Sequence, residues 1–174
     1  LDWHQSFNHY KASKEKLLAC SKSSIFDASL DNVSLVQSIC DKLNIILSPK
    51  ILHELDEFTL AHRQEVFHLN NITFINDSKA TNIAAVQAFL SKNQSPGQTH
   101  LILGGSLKGD IKFSPLNTFS DQVTFYAYGQ TKSIICSQLD VSFSDQALAS
   151  VLDRVFSIAK KGDTVVLSPG CASF

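Results

Sequence analysis

From residue 65 onward, short apolar runs alternate with stretches of helical periodicity, and this alternation restricts the chain to few folds. Strands are predicted at residues 100–104, 123–129 and 164–168, and each follows a helical stretch. Strands that alternate with helices favour a parallel sheet whose two faces are covered by those helices. We therefore expect an α/β fold with a Rossmann-like, mostly parallel sheet and helices on both faces.

Two local signals refine this prediction. Apolar residues flank Asn70-Asn71 between residues 65 and 76, which suits a two-residue hairpin turn because Asn tolerates positive φ. The last helix is predicted to have Ser144 as its N-cap and to end at Gly162. Its apolar face would consist of Ala147, Leu148, Val151, Leu152, Val155 and Phe156.

The first sixty-odd residues have a different pattern. Helical periodicity predicts helices over residues 5–20 and 31–43, and Ser48-Pro49 supplies an N-cap and a first-turn proline for a third helix that runs to about residue 58. We expect two domains, a helical one at residues 1–64 and an α/β one at residues 65–174.

The strand predicted before residue 77 leads directly into a polar loop and then a helix. The loop carries a carboxylate, an ammonium and hydroxyls on Asp77, Ser78, Lys79 and Thr81. Free N–H groups and the macrodipole at a helix N-terminus attract anions. A simple N-cap with turn residues is the alternative, but it gives no reason for a cation at Lys79. The sequence therefore favours an anion-binding loop.

Two later strand ends carry comparable loops. Gly104-Gly105-Ser106-Leu107-Lys108-Gly109 lacks the spacing of a mononucleotide P-loop. Its glycines allow close approach to a ligand, and Lys108 suits a carboxylate or phosphate; a plain turn with a solvated lysine is the alternative. The third loop, Ser168-Pro169-Gly170-Cys171-Ala172-Ser173, offers hydroxyls, and we expect Cys171 to be a buried, inert thiol rather than a nucleophile.

These three segments resemble, in order and spacing, the C-terminal domain of the Mur ligases, and in particular the branch that adds D-glutamate. The match covers Asn76–Asn82, the segment from Leu101 to Leu116 and the segment from Val166 to Phe174. The resemblance implies an ADP-forming ligase of peptidoglycan precursor synthesis. In that reaction ATP phosphorylates the carboxylate of UDP-N-acetylmuramoyl-L-alanine, and the D-glutamate amine attacks the acyl phosphate. The resemblance also implies that residues 1–64 are a remnant of the central ATP-binding domain.

The resemblance assigns a role to each candidate residue by the family position that it matches. D-glutamate would be bound by Thr81, Lys108, Ser173 and Phe174. The nucleotide would be contacted by Asn32, His62, Arg63 and Asp77. Lys79 would lie near the reacting centre as a catalytic group. Lys14 matches the lysine that is carbamylated to become an anionic metal ligand, which implies Mg²⁺ as well as ATP.

Charge and composition limit the classes of partner that the chain is expected to bind. A net charge of −1 argues against a nucleic-acid surface, and no apolar run approaches the length of a membrane span. The four cysteines form no Cys-x-x-Cys pair, which fits a reducing cytoplasm. We expect small-molecule partners, no nucleic acid, no membrane and a monomer.

The two ends of the chain suggest that it is part of a longer protein. The chain begins at Leu1, contains no Met and stops at Phe174 directly after a strand. We therefore expect a piece of a longer protein that is inactive alone, because it has no phosphate loop. Two alternatives remain open: another Mur-type or folylpolyglutamate-type amide ligase, and a non-catalytic nucleotide- or amino-acid-binding fragment.

Overall fold

Two units make up the chain, Leu1–Phe58 and Thr59–Phe174. The computed structural model describes residues 6–21, 32–57, 61–93, 95–107 and 109–172. Among these described residues, no helix combines the length and the apolar composition needed to cross a bilayer.

The described residues of the first unit form the helices α1 (Phe7–Cys20), α2 (Asn32–Lys42) and α3 (Pro49–Glu57). These helices confirm the ones predicted from periodicity. The start of α3 also follows the prediction, since Ser48 Oγ accepts the N–H of Ile51 at 3.3 Å. Pro49 occupies the first helical position, where its missing N–H costs no helical hydrogen bond.

The described residues of the second unit form a six-stranded sheet with the strand order β1-β2-β6-β3-β4-β5. The strands are β1 (Glu65–Leu69), β2 (Ile72–Asn76), β3 (Thr99–Gly105), β4 (Val123–Gly129), β5 (Val141–Asp145) and β6 (Thr164–Leu167). β1 and β2 are antiparallel, and the other neighbouring pairs are parallel. Asn70 and Asn71 make the predicted hairpin turn with φ of 53° and 60°. The predicted mostly parallel sheet is thus confirmed.

Helices cover both faces of this sheet, as predicted. The helical elements are α4 (Ile83–Lys92), a 3-10 helix (Ser114–Phe119), α5 (Lys132–Gln138) and α6 (Leu148–Ile158). Leu101 and Leu103 of β3 are buried with residues of α4 and α5, whereas Ile102 is buried with residues of α6. Alternate residues of one strand therefore serve two cores. Each fully buried Leu or Ile side chain contributes roughly 1.5–3 kcal/mol to stability.

The sequence prediction was wrong around the start and the end of α6. Ser144 is not an N-cap but lies in β5, a strand that periodicity missed. Instead, Asp145 Oδ1 accepts the N–H of Ala147 at 2.8 Å just before α6. The helix ends at Ile158, and Gly162, with φ of 93°, lies in the following turn. Residues 141–145 alternate between partly buried and exposed side chains, which is the period of a strand.

A buried polar network connects β3, β4 and the residue that precedes β6. His100 Nε2 lies 3.2 Å from Asp163 Oδ2, and His100 Nδ1 lies 3.0 Å from the Tyr126 hydroxyl. The Asp163 carboxylate also accepts the N–H groups of Gln98 at 3.0 Å and Lys160 at 2.8 Å. Burial alone would raise the pKa of Asp163, but these hydrogen bonds outweigh burial and lower it.

We predict that Asp163→Ala lowers the free energy of unfolding near neutral pH by about 1–3 kcal/mol, because buried donors lose their acceptor. Since the folded pKa of Asp163 is lowered, its contribution is present above the unfolded value of 3.8 and is lost as the pH falls through the folded value. Urea unfolding at a series of pH values should therefore show a difference from the parent that narrows in acid. The exposed Asp153→Ala is the control, and a pH-independent difference would contradict this assignment.

Candidate active site

Three polar loops meet at one edge of the sheet. They follow β2, β6 and β3, which lie side by side and run parallel. Because the carboxyl ends of neighbouring parallel strands share an edge, the segments that the sequence singled out at Asp77, Ser168 and Gly105 lie next to one another.

Backbone hydrogen bonds join these loops directly. The N–H of Gly170 donates to Ala80 O at 2.9 Å, which connects the loops after β6 and β2. The N–H of Ser106 donates to Ala172 O at 3.0 Å, which connects the loops after β3 and β6. Gly105 packs within this second contact, and a Cβ there would lie 2.5 Å from Ala172 O. The β6 loop therefore holds the other two together.

Asp77 is a buried carboxyl group at this edge, with 4% of its surface exposed. Burial raises its pKa, and three neighbours oppose the shift without reversing it: the Ser168 hydroxyl, the backbone N–H of Gln64 and the charge of Arg63. Ser168 Oγ donates to Asp77 Oδ2 at 3.2 Å. Asp77 thus connects the loop after β2 to the loop after β6 and to the segment that precedes β1. Its direct contact with a nucleotide stays a prediction.

The segment that precedes β1 makes hydrogen bonds with the end of β2 and the loop that follows it. His62 and Gln64 have left-handed backbone conformations, with φ of 63° and 53°. His62 O accepts the N–H of Lys79 at 3.2 Å, and His62 Nδ1 lies 2.9 Å from Asn76 Nδ2. Asn76 Nδ2 also donates to Glu65 Oε2 at 3.3 Å. Three of the residues predicted to contact the nucleotide, His62, Arg63 and Asp77, are therefore neighbours.

A pocket of about 340 Å³ opens beside these loops at the N-terminus of α4. Asn82 caps this helix, and its Oδ1 accepts the N–H of Ala85 at 2.9 Å. The helix dipole and the charge of Lys112 favour an anionic ligand, whereas the carboxylate of Asp110, which also lines the pocket, opposes one. The lining consists of Thr81, Asn82, Ile83, Asp110, Ile111, Lys112, Gly170, Cys171 and Ala172.

The predicted site residues divide into three groups. Thr81 lines the pocket, and Lys79 is exposed on the adjoining loop. Lys14 and Asn32 belong to the first unit, where the Lys14 ammonium lies 4.7 Å from the ring centroid of Tyr10 and Asn32 is the first residue of α2. Lys108, Ser173 and Phe174 lie outside the described residues. The roles of all these residues stay predictions.

Asp110 and Lys112 were not among the predicted site residues, although both line the pocket. They follow the Gly104-Gly105 pair in the same loop as Lys108. The sequence feature that could have indicated Asp110 and Lys112 is the cluster of charged residues after the glycine pair at the end of β3. This feature is weak evidence for a site, because a charged side chain in a loop is usually solvated.

Curated relatives that share one name are similar to this chain in sequence. The chain is 37% identical over 118 residues to the UDP-N-acetylmuramoylalanine--D-glutamate ligase of Yersinia pseudotuberculosis, a match that covers 66% of this chain and 27% of the relative. It is 38% identical over 151 residues to the ligase of the same name from Protochlamydia amoebophila, covering 83% and 33%. The chain is similar to Mur ligases over most of its own length. It spans about a third of the length of the curated relatives that it matches.

Solved structures show the same fold. The bifunctional folylpolyglutamate synthase/dihydrofolate synthase of Yersinia pestis, complexed with AMPPNP and Mn ion, matches with a TM-score of 0.64 at 16% identity, over 88% of this chain and 40% of that one. The MurF ligase of Thermotoga maritima in complex with ADP matches with a TM-score of 0.61 at 13% identity, over 78% and 33%. At such identities the likeness concerns the fold alone. No protein-family model matches the chain.

Cys171, which lines the pocket, is a buried thiol with 1% of its surface exposed. Burial raises its pKa, which favours the thiol over the nucleophilic thiolate. Its Sγ donates to Pro169 O at 3.4 Å and lies 3.6 Å from Thr131 Oγ1. The prediction of a buried thiol is confirmed.

We predict that Gly105→Ala destabilises the chain by about 2–4 kcal/mol, because the new Cβ would overlap Ala172 O at a φ of 151°. Gly109→Ala is the matched control. Its φ of 69° is also left-handed, but a Cβ there meets nothing within 4 Å, so a cost of about 1–2 kcal/mol is expected. Urea unfolding measures both, and an equal loss in the two variants would show that the contact at Gly105 is unimportant.

Proposed function

We propose that the chain is part of an ATP-dependent ligase that joins D-glutamate to UDP-N-acetylmuramoyl-L-alanine through an acyl phosphate. The proposal is carried by the pocket at the N-terminus of α4, at which the Thr81 loop meets the loop after β6. The relatives named as D-glutamate ligases support it, at 37–38% identity.

The proposed reaction requires that the nucleotide and the amino acid bind next to each other at one edge of the sheet. The γ-phosphoryl group of ATP passes to the substrate carboxylate and ADP is released. The D-glutamate amine then attacks the acyl carbon, phosphate leaves and the amine loses a proton. A dianionic amino acid must therefore lie against an anionic intermediate, which requires cations and oriented donors. The residues available for this are Lys79, Thr81 and, from the resemblance, Lys108 and Ser173.

The two sides of the edge suit two ligands. The cluster of His62, Arg63 and Asp77 would serve the nucleotide, and the pocket beside Thr81 would serve D-glutamate. In this proposal residues 1–64 belong to an ATP-binding domain of a longer, monomeric, cytoplasmic enzyme. The basis for the longer polypeptide is the length of the relatives, about three to four times the matched segment.

The competing reaction class is folylpolyglutamate-type ligation, whose fold is shared. The sequence identity to D-glutamate ligases favours the first class. The longer polypeptide, incubated with ATP, Mg²⁺ and UDP-N-acetylmuramoyl-L-alanine, should release ADP only when D-glutamate is added. Release that depends on L-glutamate and a folate would support the second class, and no amino-acid dependence would support a non-catalytic module.

We predict that Thr81→Ala and Lys108→Ala each raise the KM for D-glutamate about ten- to a hundredfold in that longer polypeptide. A lost charge-assisted hydrogen bond costs roughly 1.5–3 kcal/mol. The KM for ATP should stay near that of the parent. Lys92→Ala, at the other end of α4, is the control. A collapse of ATP affinity with an unchanged D-glutamate KM would mean that these residues serve the other ligand.

Mg²⁺ is expected to accompany ATP and to neutralise charge on its phosphates. Among the described residues, no group of three or more His, Cys, Asp or Glu could hold a metal ion. Lys14 would fit such an ion only after modification, because an ammonium is a cation without an acceptor. A carbamate supplies two oxygens and a negative charge, the ligand type that Mg²⁺ prefers.

We predict that Lys14 is carbamylated in the active enzyme. Its neutral amine would add CO₂ and release a proton, and its exposed position leaves the amine accessible. NMR after labelling with ¹³C-bicarbonate should detect a carbamate carbon that Lys14→Ala lacks. Lys14→Ala should also lose most activity and regain part of it with acetate, whereas the exposed Lys16→Ala should do neither. Full activity of Lys14→Ala at limiting Mg²⁺ would leave Lys14 as a surface charge stacked on Tyr10.

A further inference from the structure

Gln138, the last residue of α5, binds a stretch of backbone that lines the candidate pocket. Its Oε1 accepts the N–H of Phe113 at 2.7 Å and the N–H of Ser114 at 3.1 Å. Its Nε2 donates to Ile111 O at 3.4 Å. One side chain therefore holds the backbone on both sides of Lys112, which lines the pocket together with Thr81.

The segment needs such a contact because it has no regular structure of its own. Residues 110–113 belong to neither a helix nor a strand, so no ladder of hydrogen bonds fixes them. Phe113 is completely buried and anchors one end by packing. The N–H of buried Phe113 still requires an acceptor, and Gln138 provides it; the same oxygen also accepts the N–H of exposed Ser114.

A second glutamine from the same part of the sheet binds the beginning of this loop. Gln130 Oε1 accepts the N–H of Leu107 at 3.2 Å. Gln130 follows β4 directly, and Gln138 ends the helix that comes next. The loop between β3 and the 3-10 helix is therefore held before and after its pocket-lining residues by side chains from one neighbouring region.

We propose that Gln138 is a positioning residue for the amino-acid substrate. It fixes the segment from Ile111 to Ser114 and so sets the wall of the pocket that carries Lys112. Gln138 acts through backbone and does not itself line the pocket. The inference rests on the proposed function, in which this pocket binds D-glutamate. Loss of Gln138 should then impair use of D-glutamate and leave use of ATP unchanged.

Three variants separate this role from general stability. Gln138→Leu removes all three hydrogen bonds. Gln138→Glu keeps an oxygen that accepts from Phe113 and Ser114 and loses only the longer bond to Ile111 O. Gln98→Leu is the matched control, because Gln98 Nε2 donates to Gln122 O at 3.2 Å and to Thr124 Oγ1 at 3.1 Å near the amino ends of the strands, away from the pocket.

The first measurement is amide hydrogen exchange on the 174-residue chain. Gln138→Leu should lose protection at Phe113 and Ser114, whereas Gln138→Glu and Gln98→Leu should retain it. Unchanged protection in Gln138→Leu would overturn the inference, whatever the chain catalyses.

The second measurement is steady-state kinetics on the longer polypeptide. Gln138→Leu should raise the KM for D-glutamate about tenfold at an unchanged KM for ATP, and Gln138→Glu should restore most of the loss. A Gln138→Leu enzyme that behaves like Gln98→Leu would overturn the inference. A parent without D-glutamate-dependent ADP release would refute the proposed function, while the exchange result would still decide whether Gln138 holds the loop.

Discussion

The candidate site depends on the position of β6 between β2 and β3. Asn76 of β2 and Ile102 of β3 both pair with Leu167, so β2 and β6 end at the same level and β3 continues from there to Gly105. The ladders continue into the loops, because Asp77 N–H donates to Leu167 O at 2.9 Å and Ser168 N–H donates to Ile102 O at 3.2 Å. β6 comes last along the chain, so the two earlier strands acquire a common edge only when β6 pairs with both. Every contact between the polar loops follows from that pairing.

Ionisable groups at this edge are divided between the buried carboxyl group of Asp77 and exposed side chains. An ionised carboxyl group is costly to bury unless donors surround it. Asp77 receives such donors from Ser168 and Gln64, and these bonds join three parts of the chain. Lys79, Thr81 and Lys112 remain exposed. Burial thus directs the Asp77 carboxyl group towards contacts within the protein, and exposure leaves the two lysines and the threonine accessible to a ligand.

The fold alone would not distinguish among the ligases that share it. Two of the solved structures that match are a MurF ligase and a folylpolyglutamate synthase/dihydrofolate synthase, at nearly equal TM-scores. One sheet can therefore carry sites for different substrates, and the loops at its edge must decide among them. In this chain the pocket wall from Asp110 to Lys112 is neither helix nor strand, and the side chain of Gln138 supports its backbone.

Features that depend on residues adjacent in the sequence were determined by the sequence alone. Ser48-Pro49 begins a helix and Asn70-Asn71 turns a hairpin, because capping and positive φ are local properties. The strand ends at Asp77, Gly105 and Ser168 also followed from local pattern. Local pattern misassigned Ser144, whose strand forms only because β4 provides a parallel partner. Tertiary structure alone decided the order β2-β6-β3, the burial of Asp77 against Ser168, and the contacts of Gln138 with the pocket wall. Each of these joins residues that are far apart in sequence, and no short window of the chain contains both partners.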